Sequence, residues 1–173
     1  PLTNDTPKSS LIRARKPLHH PLRKGLQKCV YHNKRKFIHH PGELPISCRR
    51  VERTKASAKP FVENSFVGLS FNGREVVEPG TILDVTVNLC DEDHTFQGKV
   101  VWIRHLDHYY NLGLCFADEE DAFRVRMIEQ VCHIEVYRRR LCENEGHNID
   151  IALAAQEWVE KFSTQFPKLL QGS

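Results

Sequence analysis

The chain has 173 residues, of which 40% are apolar and 27% charged, and its formal net charge is +3. This size fits one domain with tails, and no stretch has the roughly 18 to 20 apolar residues of a membrane span or the pattern of a signal peptide. The charge is uneven, because residues 1–60 hold 15 Lys and Arg against 3 Asp and Glu, whereas residues 61–173 hold 10 against 19. We therefore expect a cytoplasmic protein with a basic arm ahead of an acidic body.

Residues 1–33 are the most basic and least patterned part of the chain. Prolines recur in this stretch, and no helical or strand period persists beyond a few residues. Such a composition buries too little apolar surface to offset the entropy of ordering, so we predict a flexible arm. The basic residues of positions 13–24 have no aromatic side chains between them that would stack on bases, so binding of a nucleic-acid polymer is not predicted.

Short strands at a spacing of about ten residues dominate the middle of the chain. Strands are predicted near 44–51, 66–71, 81–89, 96–103 and 109–116, with Phe61 resuming the sheet before the second of them. Turns are predicted at Asn72–Gly73, Pro79–Gly80, Asp91–Asp93 and His105–His108, with a β-bulge at Gly98. This pattern is typical of a small antiparallel barrel or sandwich.

The segment Glu63–Phe71 combines a turn with one of these strands. Asn64 and Ser65 can bond their own backbone, and Gly68 is expected to supply backbone angles that other residues avoid. The apolar residues that alternate after it share one face of a strand. Polar side chains placed in this way would lie at the rim of the sheet.

From Asp118 the apolar period becomes helical. Asp118 is predicted to cap a helix whose acidic first turn suits the positive end of the helix dipole, and Gly146 is predicted to end it after about Cys142. Its predicted apolar face consists of Phe123, Met127, Val131, Ile134 and Leu141. A second amphipathic helix is predicted over about 150–166. Both faces are expected to pack on the sheet or on each other, and a groove for a partner is the alternative.

The sequence predicts neither a metal site nor an enzyme. Six cysteines occur without a CxxC pair, which favours reduced cysteines in packing roles. The best His and Cys spacings do not form the paired arrangement of a zinc site; they are Cys29/His32, His105/His108, His19-His20 and His39-His40. No Ser-His-Asp order, P-loop or GxGxxG motif occurs.

Several motifs together indicate a family. They are Arg35–His39 before the first strand, Glu63–Gly68 before the second, Pro79–Gly80, KVVW at 99–102 and LGLCF at 112–116. In these motifs the chain resembles the PilZ domain from Arg35 to about Tyr137. The resemblance implies a six-stranded antiparallel β-barrel with C-terminal α-helices, hence a fold that is mainly β with α. The implied organisation is a basic arm at 1–33, a barrel with its C-terminal helix at 34–142 and a helical extension at 143–173.

Many PilZ domains bind the bacterial second messenger cyclic di-GMP through an RxxxR turn and a [DN]xSxxG motif. Arg35, Ser65 and Gly68 match these motifs, whereas His39 replaces the second arginine and Glu63 replaces Asp or Asn. The residues that the resemblance implies for the ligand site are Arg35, Lys36, His39, Glu63, Ser65 and Gly68. Lys34, Lys36, His40, Arg49 and Arg50 are candidates for compensating contacts to phosphate.

The two departures are expected to weaken ligand binding. Arginine suits cyclic di-GMP because its rigid fork bonds guanine O6 and N7 or two phosphate oxygens, and a neutral histidine offers no such fork. Loss of one bidentate contact costs about 1 to 3 kcal/mol. Glu63 keeps an acceptor for guanine, but its extra methylene displaces the carboxylate.

Two functions are compatible with these residues. The first is a bacterial regulatory protein that binds cyclic di-GMP weakly or no longer, and acts on a protein partner in motility, attachment or virulence. The second is an interaction module that works without nucleotide through its C-terminal helices, and self-association through the same helices is a further alternative.

Overall fold

The computed structural model describes residues 12–13, 36–51 and 67–166. These residues form one sheet and two helices, which confirms a fold that is mainly β with α. The strands are β1 (Ile12–Arg13), β2 (Lys36–His39), β3 (Ile46–Arg50), β4 (Val67–Gly73), β5 (Ile82–Leu89), β6 (Glu92–Leu106) and β7 (Tyr109–Cys115). The helices are α1 (Glu119–Glu145) and α2 (Ile151–Phe162). Most of the predicted arm, and the predicted turn at Asn64 and Ser65, lie outside the described residues.

The sheet has the strand order β1-β3-β5-β6-β7-β4-β2. Every neighbouring pair is antiparallel except β2 and β4, which run parallel, so the expectation of a purely antiparallel sheet is wrong. The reason is that β3 does not fold back on β2 as a hairpin. It pairs instead with β5, and the chain then returns to lay β4 beside β2 in the same direction. Within the described residues no ladder joins the two edges of this mixed sheet.

The centre of the sheet is an antiparallel meander of β5, β6 and β7. The alternation predicted for β5 is confirmed, because Leu83, Val85 and Val87 are fully buried. The turn between β5 and β6 consists of Cys90 and Asp91, one residue earlier than predicted at its start. Both residues have positive φ (52° and 65°), as in the two-residue turns that match the twist of a hairpin.

Two further turn predictions have different outcomes, and the bulge lies elsewhere. Gly80 has φ of 93°, so the turn at Pro79–Gly80 is confirmed. Asn72 and Gly73 are not a turn but the end of β4. The irregular pairing of β6 lies between Val100 and Trp102 rather than at Gly98, which stays in register with its partner strand.

Helix α1 begins and ends as its sequence indicates. The side chain of Asp118 accepts a hydrogen bond from the backbone N–H of Asp121 at 2.8 Å, and three acidic residues occupy the first turn. Gly146 ends the helix with φ of 72°, a conformation that glycine adopts without steric cost. The helix therefore continues three residues beyond the predicted Cys142.

The buried face of α1 differs from the predicted one. Phe123 and Met127 are 53% and 41% exposed, whereas Glu129 and Glu135 are buried. The prediction is wrong for Phe123 and Met127, whereas Ile134 is buried and Val131 packs against the core, as predicted. Apolar spacing alone does not reveal that α1 turns two glutamates inward, where Glu129 contacts His40 and Glu135 pairs with Arg138. The main core lies between this face and the sheet, and includes Leu69, Leu112 and Leu114.

Helix α2 packs over the edge of the sheet that β2 forms. A second hydrophobic cluster joins Ile38 of β2 and Val67 of β4 to Ile134 of α1, Trp158 of α2 and Phe166. Trp158 is 5% exposed, and its ring meets Phe166 edge-on at a centroid distance of 5.6 Å. The second predicted helix is thus confirmed, with its helical turns ending at Phe162. No described helix has the length and apolar character needed to cross a membrane.

Candidate functional site

The parallel ladder of β2 and β4 places the described parts of the two predicted ligand motifs, residues 36–39 and 67–68, side by side. Lys36 lies opposite Val67, Phe37 opposite Gly68 and His39 opposite Ser70. Three of the six predicted site residues, Lys36, His39 and Gly68, are therefore on neighbouring strands. Arg35 directly precedes β2 in the sequence, and Glu63 and Ser65 precede β4, but these three lie outside the described residues.

His39 is held by a residue that the sequence did not single out. Its Nδ1 lies 3.2 Å from Oγ of Ser70, and the Ser70 hydroxyl lies 3.4 Å from the carbonyl of Ile38. If Ser70 donates its proton to that carbonyl, its oxygen accepts from Nδ1–H of His39, which leaves Nε2 of a neutral His39 as an acceptor. Ser70 follows Gly68 by two residues, and this same-face spacing is the signal that could have identified it.

The charge state of His39 follows from its surroundings. Partial removal of the ring from water, and then the nearby His40 and His133, lower the pKa of His39 below its ordinary value of 6.5. The neutral form therefore dominates at pH 7. In the tautomer described above it can accept a guanine N–H at Nε2, but it cannot donate to a phosphate oxygen from that nitrogen.

The space in front of Gly68 is filled by Phe37. A Cβ at position 68 would lie 2.5 Å from the Phe37 ring and 2.6 Å from the carbonyl oxygen of Leu114. Gly68 thus allows a close approach within a strand, and the expected turn-like role is wrong, because positive φ occurs at other glycines. The Phe37 ring also meets Trp102 edge-on at 5.2 Å, and Trp102 in turn lies over Gly113. These two aromatic side chains form a half-buried pair across the outer face of the sheet.

The opposite face of β2 is bound to α1 by polar contacts. Nδ1 of His40 lies 2.9 Å and 3.1 Å from the two carboxylate oxygens of Glu129. Nε2 of His133 lies 3.0 Å from the carbonyl oxygen of His39, to which it can donate. Burial lowers the pKa of His133, so this ring is neutral at pH 7 and can donate from Nε2 in one tautomer. Both helical residues fix the backbone of β2 just where His39 lies.

Most of the predicted compensating cations lie elsewhere. Arg49 pairs with Asp84 at 2.9 Å, and Arg50 donates to the carbonyl of Val76 at 2.8 Å. Both belong to β3, which forms no ladder with β2 among the described residues, and both are engaged by these partners. His40 points toward α1 and is buried. Lys36 is the described member of this set that is exposed on β2 itself.

A second group of side chains with donor atoms lies behind β2. His40, Glu129 and Cys132 are all buried, and their potential ligand atoms lie within 4.8 Å of one another. These residues do not reach the outer face, where His39 and Gly68 lie. The protein therefore has two distinct candidate sites, one on each face of the same strand.

Comparisons with models of known protein families, with curated proteins and with solved structures returned no match.

Proposed function

We propose that the chain is a PilZ-like bacterial regulatory protein of the cytoplasm, without enzymatic activity, whose cyclic di-GMP site has lost much of its affinity. The site would consist of Lys36, His39 and Gly68 together with Arg35, Glu63 and Ser65 of the flanking segments. Its output would be a contact with a protein partner in motility, attachment or virulence.

The register of β2 and β4 is the observation that carries this proposal. Two motifs separated by about 30 residues in the sequence meet at Phe37 and Gly68, as parts of one ligand site must. Lys36 is exposed at the start of β2, and Arg35 precedes it in the sequence. Positive charge in this segment would suit a ligand with two phosphodiester groups. The half-buried rings of Phe37 and Trp102 lie on the same face and offer apolar surface to a purine.

The short connection between β2 and β3 supports a barrel-like curvature. Five strand spacings separate β2 from β3, or about 24 Å in a flat sheet. Seven residue steps lead from His39 to Ile46, and they span at most about 25 Å when fully extended. A turn shortens this connection, because the N–H of Leu44 donates to the carbonyl of Pro41 at 3.2 Å. The sheet must therefore curl, as a six-stranded PilZ-like barrel would require.

Two contacts argue for weak binding. The Phe37 ring occupies the space over Gly68, so a ligand reaches the Gly68 backbone only after this ring moves. His39 is neutral at pH 7 and, with Nδ1 toward Ser70, presents an acceptor where an arginine would present a fork of donors.

Isothermal titration of the full chain with cyclic di-GMP tests the proposal. We expect weak binding by the native chain and stronger binding by His39→Arg, by about 5- to 150-fold if one bidentate contact is restored. His108→Arg is the matched control, because it adds the same charge at an exposed turn before the start of β7. The end of β7 near Gly68 is the other one, where Leu114 pairs with Leu69. Absence of heat for both the native chain and His39→Arg at high micromolar ligand would end the nucleotide claim, and equal gains in both variants would reduce it to general charge attraction.

One observation favours the alternative, a nucleotide-independent interaction module. The helices leave Phe123 (53%), Met127 (41%) and Leu153 (65%) exposed to solvent. Exposed apolar side chains of this size can form a contact surface for another protein. Light scattering at increasing concentration tests self-association through these side chains. We expect any mass above the monomer to fall in Leu153→Ser and in Phe123→Ser but not in Glu160→Ser, an exposed polar position of α2.

A further inference from the structure

The polar cluster between β2 and α1 is unusual because all of its members are withdrawn from water. His40 is 3% exposed, and Glu129 and Cys132 are 0% exposed. Glu129 and Cys132 are three residues apart on α1 and so share its inner face, while His40 directly follows β2. Their donor atoms converge within 4.8 Å.

Both ring nitrogens of His40 face acceptor atoms. Nε2 lies 3.3 Å from the carbonyl oxygen of Leu44, and Nδ1 lies 2.9 Å and 3.1 Å from the carboxylate oxygens of Glu129. A neutral imidazole has one N–H and one lone pair, so it cannot satisfy both partners. If Nε2–H donates to Leu44, a positive centre must lie between Nδ1 and the carboxylate. That centre is either a proton or a metal ion.

Glu129 and Cys132 favour more than a shared proton. Within the described part of the chain, the hydrogen bonds of the Glu129 side chain go to His40 alone, which leaves several lone pairs of a buried carboxylate without donors. The Cys132 sulfur lies within 4.8 Å of the donor atoms of His40 and Glu129. A proton between His40 and Glu129 leaves the remaining lone pairs of the carboxylate without donors, whereas a cation bound by all three residues would satisfy them.

We propose that His40, Glu129 and Cys132 bind one divalent metal ion of the zinc class. Imidazole nitrogen, carboxylate oxygen and thiolate sulfur are the donors that zinc takes in proteins, and Leu44 would orient His40 as backbone carbonyls commonly orient metal-bound imidazoles. With bonds of about 2.0 to 2.2 Å, a tetrahedral ion separates N and O by about 3.4 Å, so Nδ1 and the carboxylate need to move apart by only a few tenths of an ångström. Binding would release the Cys132 proton and the proton between His40 and Glu129 to solvent.

This site would act on the fold rather than on a substrate. It would join the end of β2 to α1 and so fix the position of His39, which is one residue away, from the face of β2 that packs on α1. The inference does not depend on cyclic di-GMP, because the three ligands lie on the face of β2 opposite to the nucleotide motifs.

Cobalt titration of the full chain, reduced and freed of metal with a chelator, tests the site. We expect one equivalent of Co²⁺ to give a thiolate-to-cobalt absorption band that Zn²⁺ abolishes by competition. Cys132→Ser should remove this band, and Glu129→Gln, which keeps the shape of the side chain but not its charge, should weaken affinity by more than about 100-fold, beyond the usual effect of an outer-shell partner. Zinc should raise the melting temperature of the native chain and leave that of Cys132→Ser unchanged.

Cys48→Ser is the matched control. Cys48 is also a buried thiol, its pKa raised to about 12 by burial, but it belongs to β3 and is not part of the cluster. Its variant should keep the cobalt band and the zinc-dependent melting temperature. Failure of the folded native chain to bind cobalt or zinc would overturn the proposal and leave His40 hydrogen-bonded to Glu129 without a metal. An unchanged band in Cys132→Ser would overturn it as well, because the metal would then be bound by other cysteines.

Discussion

The close contact of Phe37 with Gly68 makes a quantitative prediction for Gly68→Ala. The added methyl group would lie 2.5 Å from a Phe37 ring carbon and 2.6 Å from the backbone oxygen of Leu114. The ring can rotate or shift, but the carbonyl is part of the β4–β7 ladder and cannot move without weakening it. Overpacking of this kind costs about 1 to 3 kcal/mol, and the lower chain entropy of alanine in the unfolded state offsets about 0.5 to 1 kcal/mol of that cost. We expect a net loss of about 1 to 2 kcal/mol.

Urea unfolding followed by tryptophan fluorescence measures this loss, since Trp102 lies next to Phe37. Gly98→Ala is the matched control in the same sheet. Its methyl group would lie 3.0 Å from Cδ1 and 3.1 Å from Cβ of Leu114, and 3.5 Å from the backbone oxygen of Cys115, which is a looser contact than at Gly68, so the variant should lose less stability. The double variant Phe37→Ala/Gly68→Ala should lose less stability than the sum of the losses in the two single variants, because the contact between the ring and the new methyl group is then absent. Equal stability of Gly68→Ala and the native chain would refute the argument and would return Gly68 to a role in ligand binding alone.

Two further predictions concern the helices. Trp158→Ala should lower the free energy of unfolding in urea by about 3 to 5 kcal/mol, because it removes the largest side chain of the cluster between α2 and β2. Val159→Ala, at a position 41% exposed, should change stability little. Equal effects of the two changes would show that α2 does not pack through Trp158. The hydrogen bond from Arg138, together with Arg139, holds the pKa of Glu135 below its ordinary value of 4.5, so its contribution to stability is present above pH 4.5 and is lost as the pH falls through the lowered pKa. Acid unfolding of Glu135→Gln should therefore lack part of this pH dependence, and an unchanged acid transition would show that the ion pairs of Glu135 do not stabilise the fold.

Local signals in the sequence predicted the local parts of this fold. Asp118 and Gly146 mark the ends of α1 because caps depend on neighbouring residues only. The alternation of β5 is equally visible because its inner residues all face the same core. The parallel pairing of β2 with β4 was not visible, since strand patterns indicate which face is buried and not which strand lies alongside.

The errors in the candidate site have one physical cause, which is that the partners are distant in the sequence. Glu129 is not part of the predicted inner face of α1, and its partner there is His40, 89 positions earlier. Gly68 appeared to serve a turn, because the ring that needs its missing side chain belongs to Phe37 on another strand. The His40, Glu129 and Cys132 group escaped detection for the same reason, since metal-site patterns assume ligands paired by short spacing.

Strand β2 connects the two proposed sites and limits how either can act. On its outer face the Phe37 ring packs against Gly68 of β4, and its inner face is bound through Ile38 and through the His40 contact with Glu129. A ligand that ordered β2 on binding would need this strand to be free beforehand, and contacts on both faces argue against that. The response to a nucleotide would therefore have to arise from a shift of a packed strand. Since His133 bonds the carbonyl of His39, such a shift would reach α1 directly, and through the Ile38–Trp158 cluster it would also reach α2.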